Sequence, residues 1–128
     1  MGCDIHVHVE VKINGKWQHY NHPRINRNYA LFSRLAGVRG ELEPITRPRG
    51  IPKNATWMTK FDFKRMGTDA HTPSWISGEE VEALQAEGFL DSFKELGYIF
   101  GNGFGVKGYP EDYPEGVEDS RLVFWFDC

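Results

Sequence analysis

Four ionisable side chains alternate with aliphatic ones near the start of the sequence. They are Asp4, His6, His8 and Glu10. Histidine and carboxylate side chains ligate divalent cations such as Zn, Mn and Mg, and they also carry protons in acid–base catalysis. Neighbours in such a row lie roughly 6.6 Å apart on an extended strand, too far to chelate one cation as a full set. A site built on this row therefore needs a ligand from another segment.

The alternation itself predicts a β-strand over residues 3–13. Successive side chains of a strand point to opposite faces, so the aliphatic set would enter the core while the ionisable set shares the other face. A solvated face of an antiparallel sheet is the competing explanation for a polar row. The composition favours a site, because solvated faces more often carry Thr, Lys, Ser and Gln than two histidines and two carboxylates.

Around this strand the sequence predicts an α+β fold with a small, mostly antiparallel sheet. Asn14-Gly15 predicts a tight hairpin turn, which makes residues 16–20 the returning strand. The apolar stretch 120–127 predicts a central strand that pairs with the first one. The expected core is therefore a three-stranded sheet assembled from both ends of the sequence.

Two helices are predicted to cover one side of this sheet, near residues 29–37 and 78–87. Asn26 or Asn28 can cap the first helix, and residues 77–80 read as a capping box for the second. A cap supplies hydrogen-bond acceptors to backbone amides that have no partner inside the helix. The boundaries of both helices therefore rest on identifiable residues.

The sequence between these helices, residues 40–72, predicts an irregular segment because its prolines are closely spaced. Arg47 and Arg49 lie within it, and guanidinium groups bind phosphate or carboxylate in a bidentate fork. His71 is expected in a loop just before the second helix. Such a loop histidine can project into a cleft, although it more commonly bonds to backbone.

The sequence after the second helix predicts a short helix at 91–96 and a short strand at 98–100. The glycine-rich stretch 101–108 contains a formal G-x-G-x-x-G. A dinucleotide-binding turn requires a helix to begin inside that motif, and Tyr109-Pro110 follows instead. We therefore assign no nucleotide-binding role to it.

Length and composition predict a single domain over residues 1–128, with 40% hydrophobic residues to form its core. The net charge is −3, with a basic excess in the first half and an acidic excess in the second. Direct nucleic-acid binding is not expected, because the basic residues are dispersed. No apolar run approaches a membrane span and no leader is apparent, so a cytoplasmic protein with Cys3 and Cys128 reduced is expected.

The opening Met-Gly-Cys-Asp-Ile-His resembles the start of a widespread family of small, uncharacterised bacteriophage and prophage proteins. The similarity includes Glu10 and continues through short motifs within residues 27–39, through 48–52, His71 with Ser74-Trp75, and 124–127. It implies a phage origin and a host-cytoplasm setting, but no activity. Where the family pattern has a second histidine after His71, this sequence has Pro73. His8 is not part of the family pattern. The resemblance selects six other residues as candidates for a site: Asp4, His6, Glu10, Arg27, Arg49 and His71.

The first functional hypothesis is a His/carboxylate/Arg cleft that binds a small anionic ligand, phosphorylated or nucleotide-like, through a divalent metal (Zn, Mn or Mg). The candidate metal ligands are Asp4, His6, Glu10 and His71. The candidate proton carriers are Glu10, His6 and His71. The candidate ligand-binding residues are Arg27, Arg49, Asp4 and Trp75. The same groups would serve a metal-dependent hydrolase, so the sequence leaves enzymatic activity undecided.

The second hypothesis is a phage counter-defence protein that binds and inhibits a host protein complex. An acidic, aromatic-rich surface around residues 109–125 would be its interaction surface. This hypothesis predicts that charge reversal at 111–119 abolishes activity while alanine at His6 and Glu10 does not. The sequence indicates neither the oligomeric state nor the host factor.

Overall fold

A computed structural model describes residues 2–89 and 115–128 of the chain. The strands form one antiparallel sheet in the order β2-β1-β4-β3, with bounds β1 Asp4–Ile13, β2 Lys16–Asn21, β3 His71–Ser77 and β4 Val117–Asp127. The helices are α1 Tyr29–Ala36, α2 Trp57–Met66 and α3 Gly78–Leu84. The predicted small α+β fold is confirmed. The elements predicted at 91–96 and 98–100 and the glycine-rich stretch 101–108 lie outside the described residues.

The pairing of the first and last strands is confirmed, and it forms the centre of the sheet. β1 runs antiparallel to β4, with Val7 opposite Phe124. The hairpin from β1 to β2 is also confirmed: Asn14 and Gly15 both have positive φ, at 52° and 76°. This backbone conformation matches the twist of the two flanking strands, and it suits asparagine and glycine.

One face of the sheet carries the apolar core. Three aliphatic residues of β1 and three alternate residues of β4 bury their side chains in one cluster with residues of α1 and α3. They are Ile5, Val7, Val9, Leu122, Phe124 and Phe126. The largest members are listed here: Phe32, Phe124, Phe126, Leu31, Leu35, Leu84 and Leu122. The prediction that the aliphatic parity of the first strand enters the core is thereby confirmed.

Both predicted helices are present, with the caps that the sequence indicated. Asn28 caps α1 by accepting a hydrogen bond from the amide of Leu31, and α1 ends at Gly37 in the left-handed region, with φ 73°. Ser77 and Glu80 form the capping box of α3. The regular part of α3 ends at Leu84, and the wider turn that follows, Gln85–Phe89, is kinked at Gly88, whose φ of 107° is not helical.

The prediction of an irregular segment over 40–72 is wrong in its second half. The last proline of that segment is Pro52, and the chain from Trp57 to Met66 forms α2. The loop expected around His71 is also replaced by a strand, β3, even though this strand contains Pro73. Among the described strands, β3 lies at the edge of the sheet and pairs with β4 alone, and a proline is tolerated in such a position.

Cys3 and Cys128 are joined by a disulfide, so the expectation of two reduced cysteines is wrong. The register of β1 and β4 explains the pairing, because Asp4 lies opposite Asp127 and the next pair outward is Cys3 and Cys128. The sequence alone does not reveal that register. Among residues 2–89 and 115–128, no helix combines the length and apolar character that crossing a bilayer requires.

Candidate metal and ligand site

The second face of the sheet is polar, and α2 covers part of it. Trp125 of β4 is fully buried there, with its ring stacked on His8 at 5.4 Å between centroids. Phe63 of α2 meets the Trp125 ring edge to face at 5.1 Å, and the Trp125 Nε1–H donates to the Met66 sulfur at 3.0 Å. These contacts hold α2 over the ionisable row of β1.

His8, His22 and Asp62 form a compact group beneath this cover. Nε2 of His8 lies 2.8 Å from Oδ2 of Asp62, and Nε2 of His22 lies 4.0 Å from the same oxygen. One ligand atom from each residue can be chosen so that all three lie within 4.8 Å of one another. A tetrahedral zinc site with bonds near 2.0–2.1 Å separates its ligand atoms by ~3.3 Å. The observed spacings lie on either side of that value.

The tautomer of His22 is fixed by its backbone contact. Nδ1 of His22 lies 2.7 Å from the carbonyl oxygen of Val7, which can only accept, so Nδ1 carries a proton and donates it. The Nε2 atom of a neutral His22 then presents a lone pair towards the Asp62 carboxylate. Two acceptors facing each other repel unless a proton or a cation lies between them.

His8 and Asp62 also form contacts with residues outside the group, through the atoms that do not face each other. Nδ1 of His8 lies 2.8 Å from Nε2 of His19, so a His8 bound to metal through Nε2 could donate from Nδ1 to His19. Arg65 pairs with Oδ1 of Asp62 at 2.7 Å, which leaves Oδ2 for the histidines. Outer hydrogen bonds of this type orient the ligands in protein metal sites.

Burial controls protonation in this group. Desolvation lowers the pKa of His8 to about 4, against a usual value of 6.5, and the hydrogen bond to Asp62 opposes this only in part. Burial acts to raise the pKa of Asp62, but the hydrogen bond from His8 outweighs it and the pKa is lowered. At neutral pH His8 is therefore a neutral imidazole beside the Asp62 carboxylate, and these are the forms that bind metal.

A cleft of about 610 Å³ opens next to this group. His22 contributes to both, with its side chain about half exposed. Arg24 is exposed and forms no hydrogen bond or ion pair with any other residue in the described ranges. The charged and polar side chains that line the cleft are Asp4, His6, His22, Arg24, Arg27 and Arg65.

Three of the predicted site residues reach this cleft. Arg27 holds Asp4 in a two-pronged ion pair, at 2.7 and 3.1 Å, and that hydrogen bond lowers the pKa of the Asp4 carboxyl. His6 pairs through Nε2 with Asp127 at 2.5 Å. The structure thus brings Asp4, His6 and Arg27 together, but each predicted metal ligand among them already has a partner of its own.

Glu10 lies elsewhere, in a sealed polar cluster. It is 0% exposed, and it pairs with Arg121 at 2.7 Å. Thr56 and Thr59 also donate hydrogen bonds to it. Burial acts to raise the pKa of Glu10, but these hydrogen bonds outweigh it and keep the pKa below its usual value. A carboxylate enclosed in this way has neither solvent nor substrate to act on, so the structure gives Glu10 a structural position.

His71 is remote from Glu10, so the four predicted metal ligands do not converge on one cation. His71 lies opposite Phe126 of β4, whereas Glu10 lies opposite Arg121. Those positions are five residues apart along β4, or about 17 Å on an extended strand. His71 instead contacts Cys128, with 3.0 Å between Nε2 and the sulfur.

Arg49 and Trp75 are outside the cleft and contact each other. The guanidinium of Arg49 stacks 4.5 Å above the Trp75 ring and pairs with Glu80 of α3 at 2.7 Å. This contact ties the segment before α2 to β3 and α3. The structure therefore gives these two predicted ligand-binding residues a packing role outside the cleft.

Sequence reasoning missed the group formed by His8, His22 and Asp62. His8 was visible in the alternating row, but the resemblance left it outside the pattern. Asp62 lies in α2, a helix that was not predicted, so nothing placed a carboxylate over the row. The available signal was the cluster of histidines around a predicted hairpin, with His8 in the first strand, His19 in the return strand and His22 just after it. Comparison of the chain with protein-family models, curated proteins and solved structures finds no match.

Proposed function

We propose that this protein binds a small anionic ligand, phosphorylated or nucleotide-like, in the cleft beside His22, with a divalent cation held by His8, His22 and Asp62. The observation that supports it is that His22 belongs to both the cleft and the three-residue group. A cation there would have protein ligands on one side and the cleft on the other. The proposal keeps the class of ligand expected from the sequence and relocates the metal.

The donor set favours Zn²⁺ or Mn²⁺ over Mg²⁺. Two imidazole nitrogens and one carboxylate oxygen suit transition metals, whereas Mg²⁺ prefers oxygen ligands and retains water. The rings of His8 and His22 are stacked 4.2 Å apart, so ligation by both requires the half-exposed His22 ring to tilt towards Asp62. Three protein ligands leave open positions for water or an anion.

The cleft supplies positive charge for the anion. Arg24, Arg27 and Arg65 line it, and each guanidinium presents several N–H donors that match phosphate oxygens. Arg27 and Arg65 are engaged with carboxylates, so Arg24 is the guanidinium with its full donor set available. Arg24 is therefore the side chain whose loss should weaken anion binding most directly.

The proposed setting comes from the resemblance to phage proteins: an accessory protein acting in the cytoplasm of a host cell. Binding, without turnover, is the proposed activity. A metal-dependent hydrolase would use the same cation to activate water. The alternative of host-complex inhibition through residues 109–125 includes residues 109–114, which lie outside the described ranges, and Trp125, which is fully buried and therefore not available to a partner.

The test uses the oxidised protein, with the disulfide intact and metals removed by chelator. Titration calorimetry should show one Zn²⁺ or Mn²⁺ bound per chain, together with a higher melting temperature. His22→Ala should abolish both effects, whereas His6→Gln, an exchange outside the three-residue group, should preserve them. An unchanged melting temperature with Zn²⁺, Mn²⁺, Mg²⁺ and chelator alike would overturn the metal part of the proposal.

The anion part is tested with pyrophosphate and a fluorescent nucleoside triphosphate. Binding of both should require the metal, and Arg24→Ala should weaken it about tenfold, the loss of one charge-assisted contact. Arg47→Ala removes an exposed guanidinium outside the cleft and serves as the matched control. Equal binding by the two variants would contradict the assignment of the cleft. Release of inorganic phosphate from either compound would show that the protein is a hydrolase and not only a binding protein.

A further inference from the structure

A second group of potential metal ligands lies on the apolar face of the sheet, at the edge of the core. It consists of Cys3, Cys128 and His71, whose ligand atoms all lie within 4.8 Å of one another. Two of its members form the disulfide of the described state. The third, His71, lies 3.0 Å from the Cys128 sulfur through Nε2.

The sheet register brings these residues together. Cys3 and Cys128 continue the pairing of β1 with β4 beyond Asp4 and Asp127, with 4.1 Å between their Cα atoms. His71 begins β3 and lies opposite Phe126, two residues before Cys128. The adjacent ends of three neighbouring strands, β1, β4 and β3, therefore bring one potential ligand each to the same place.

The hydrogen bonds of His71 suit it for ligation. Its Nδ1 lies 2.9 Å from the hydroxyl oxygen of Thr72. In the disulfide state the Cys128 sulfur can only accept, so Nε2 carries the proton and the Thr72 hydroxyl donates to Nδ1. After reduction the same hydroxyl can instead accept a proton from Nδ1, which leaves Nε2 with a lone pair directed at the Cys128 thiolate. Thr72 has an unusual positive φ of 52°, and the β3–β4 ladder is irregular between His71 and Ser74. A non-glycine residue in that region signals a locally constrained backbone.

We propose that the reduced protein binds a zinc ion through the thiolates of Cys3 and Cys128 and the Nε2 atom of His71. Two thiolates and one imidazole form a donor set that zinc uses in proteins, with a fourth position left for solvent. Cys128 is exposed and His71 partly so, which gives an ion access, while Cys3 is buried. The backbone amide of Cys3 donates to the Tyr29 hydroxyl at 3.2 Å, which fixes this end of β1 against α1.

The proposed site exists in only one redox state. A phosphine reductant cleaves the S–S bond by taking one oxygen from water: disulfide, phosphine and water give two thiols and a phosphine oxide. Zinc then displaces the two thiol protons and forms two zinc–sulfur bonds. Because each sulfur of the disulfide is already bonded to the other, the oxidised protein has no thiolate to offer.

This site is independent of the proposed His8 site. Cys3 shares the parity of Ile5 on the apolar face, whereas His8 lies on the polar face. The His8 group also contains no sulfur. Sulfur-based spectroscopy therefore reports on one site alone, and either proposal can fail without the other.

The experiment compares Co²⁺ binding, as a spectroscopic substitute for zinc, by the full chain before and after reduction with a phosphine. The reduced protein should bind one equivalent more than the oxidised protein and develop thiolate-to-cobalt charge-transfer absorption in the near ultraviolet. Zinc should then displace the cobalt and remove that absorption. An unchanged stoichiometry on reduction, or an extra equivalent without the charge-transfer absorption, would overturn the proposal.

Variants separate ligation from folding. Cys128→Ser removes an exposed thiol and should lose the extra equivalent with its charge-transfer absorption, while its circular dichroism stays that of the parent. His71→Gln should weaken cobalt binding at least tenfold, and His22→Ala should keep the absorption. Charge-transfer absorption that survives in Cys128→Ser would contradict the ligand assignment directly.

Discussion

His8 is the side chain whose chemistry is most altered by its surroundings. It is 1% exposed, stacked against Trp125 and placed between the Asp62 carboxylate and His19. In water an imidazole gains a proton near pH 6.5, but burial keeps this one neutral down to about pH 4. The residue is thereby held in the protonation state that a metal ligand needs.

This depressed pKa makes the stability of the metal-free protein depend on pH. Between pH 6.5 and about 4 the unfolded chain protonates His8 and the folded protein does not, so the unfolded state binds more protons. The free energy of unfolding should therefore fall as pH falls through this window, by at most about 3 kcal/mol from this residue.

Denaturant unfolding in the presence of chelator measures this dependence. His8→Gln removes the titrating group and retains a side-chain amide that can donate to Asp62, so its unfolding free energy should change less between pH 6.5 and 4. The same pH slope in parent and variant would assign the acid sensitivity to other groups, such as Asp62 and Glu10.

The sequence predicted which face of β1 each side chain occupies, but it did not predict which distant side chains each of them contacts. The alternation along β1 correctly separated core aliphatics from the ionisable row. Whether a member of that row is a ligand or a buried structural charge depends on what covers it. Arg121 and Thr59 cover Glu10, while Asp62 covers His8, and these partners lie 111, 49 and 54 residues away.

At the scale of elements, α2 decides the character of the polar face. Its side-chain contacts to the sheet come largely from Thr59, Asp62 and Phe63, while Trp57 and Phe61 are exposed. A helix that buries polar residues and exposes aromatic ones lacks the apolar stripe that identifies a helix in a sequence. This is the physical reason why α2 was missed while α1 and α3, with their caps and apolar stripes, were predicted.

The N-terminus of α2 is held by a carboxylate from β1. Thr56 precedes the helix and makes no side-chain cap of its own, but its backbone amide and its hydroxyl both donate to Glu10 at 2.8 Å. A negative charge is favourable at that end of a helix. Glu10 therefore anchors α2 to the sheet and neutralises Arg121 at the same time.

Glu10→Gln should lower the free energy of unfolding by about 3 kcal/mol, since it leaves the buried Arg121 charge without its counter-charge. Chemical denaturation measures the change. Glu82→Gln makes the same exchange at an exposed position of α3 and should have little effect. A small effect at Glu10 would show that the cluster contributes little net stability.

At the scale of the whole molecule, one sheet carries two different surfaces. The apolar face supports α1, α3 and the cysteine pair, while the polar face supports α2 and the histidine group. β4 lies inside the sheet between β1 and β3, and its residues 120–126 are buried beneath both coverings. The sequence predicted this central strand from its apolar run, but not its register against β1, which determines the partners of Cys3.

The disulfide closes a loop over nearly the whole chain, because its two cysteines are 125 positions apart. Restricting so long a loop in the unfolded chain should stabilise the fold by about 5 kcal/mol. Reduction in the presence of chelator should therefore shift the denaturation midpoint to a lower urea concentration. Cys128→Ser should be insensitive to the reductant, and a parent protein equally insensitive would contradict the expected contribution.

Because Cys3, just before β1, lies on one face of the sheet and His8 on the other, changes in the length of this segment would be more damaging than changes in its composition. Deleting one residue between these two positions would turn either the cysteine or the histidine to the wrong side of the sheet. Deleting two would restore the sides but displace one ligand by about 6.6 Å. Point substitutions can remove one candidate metal site at a time, whereas the spacing of five positions from Cys3 to His8 governs both.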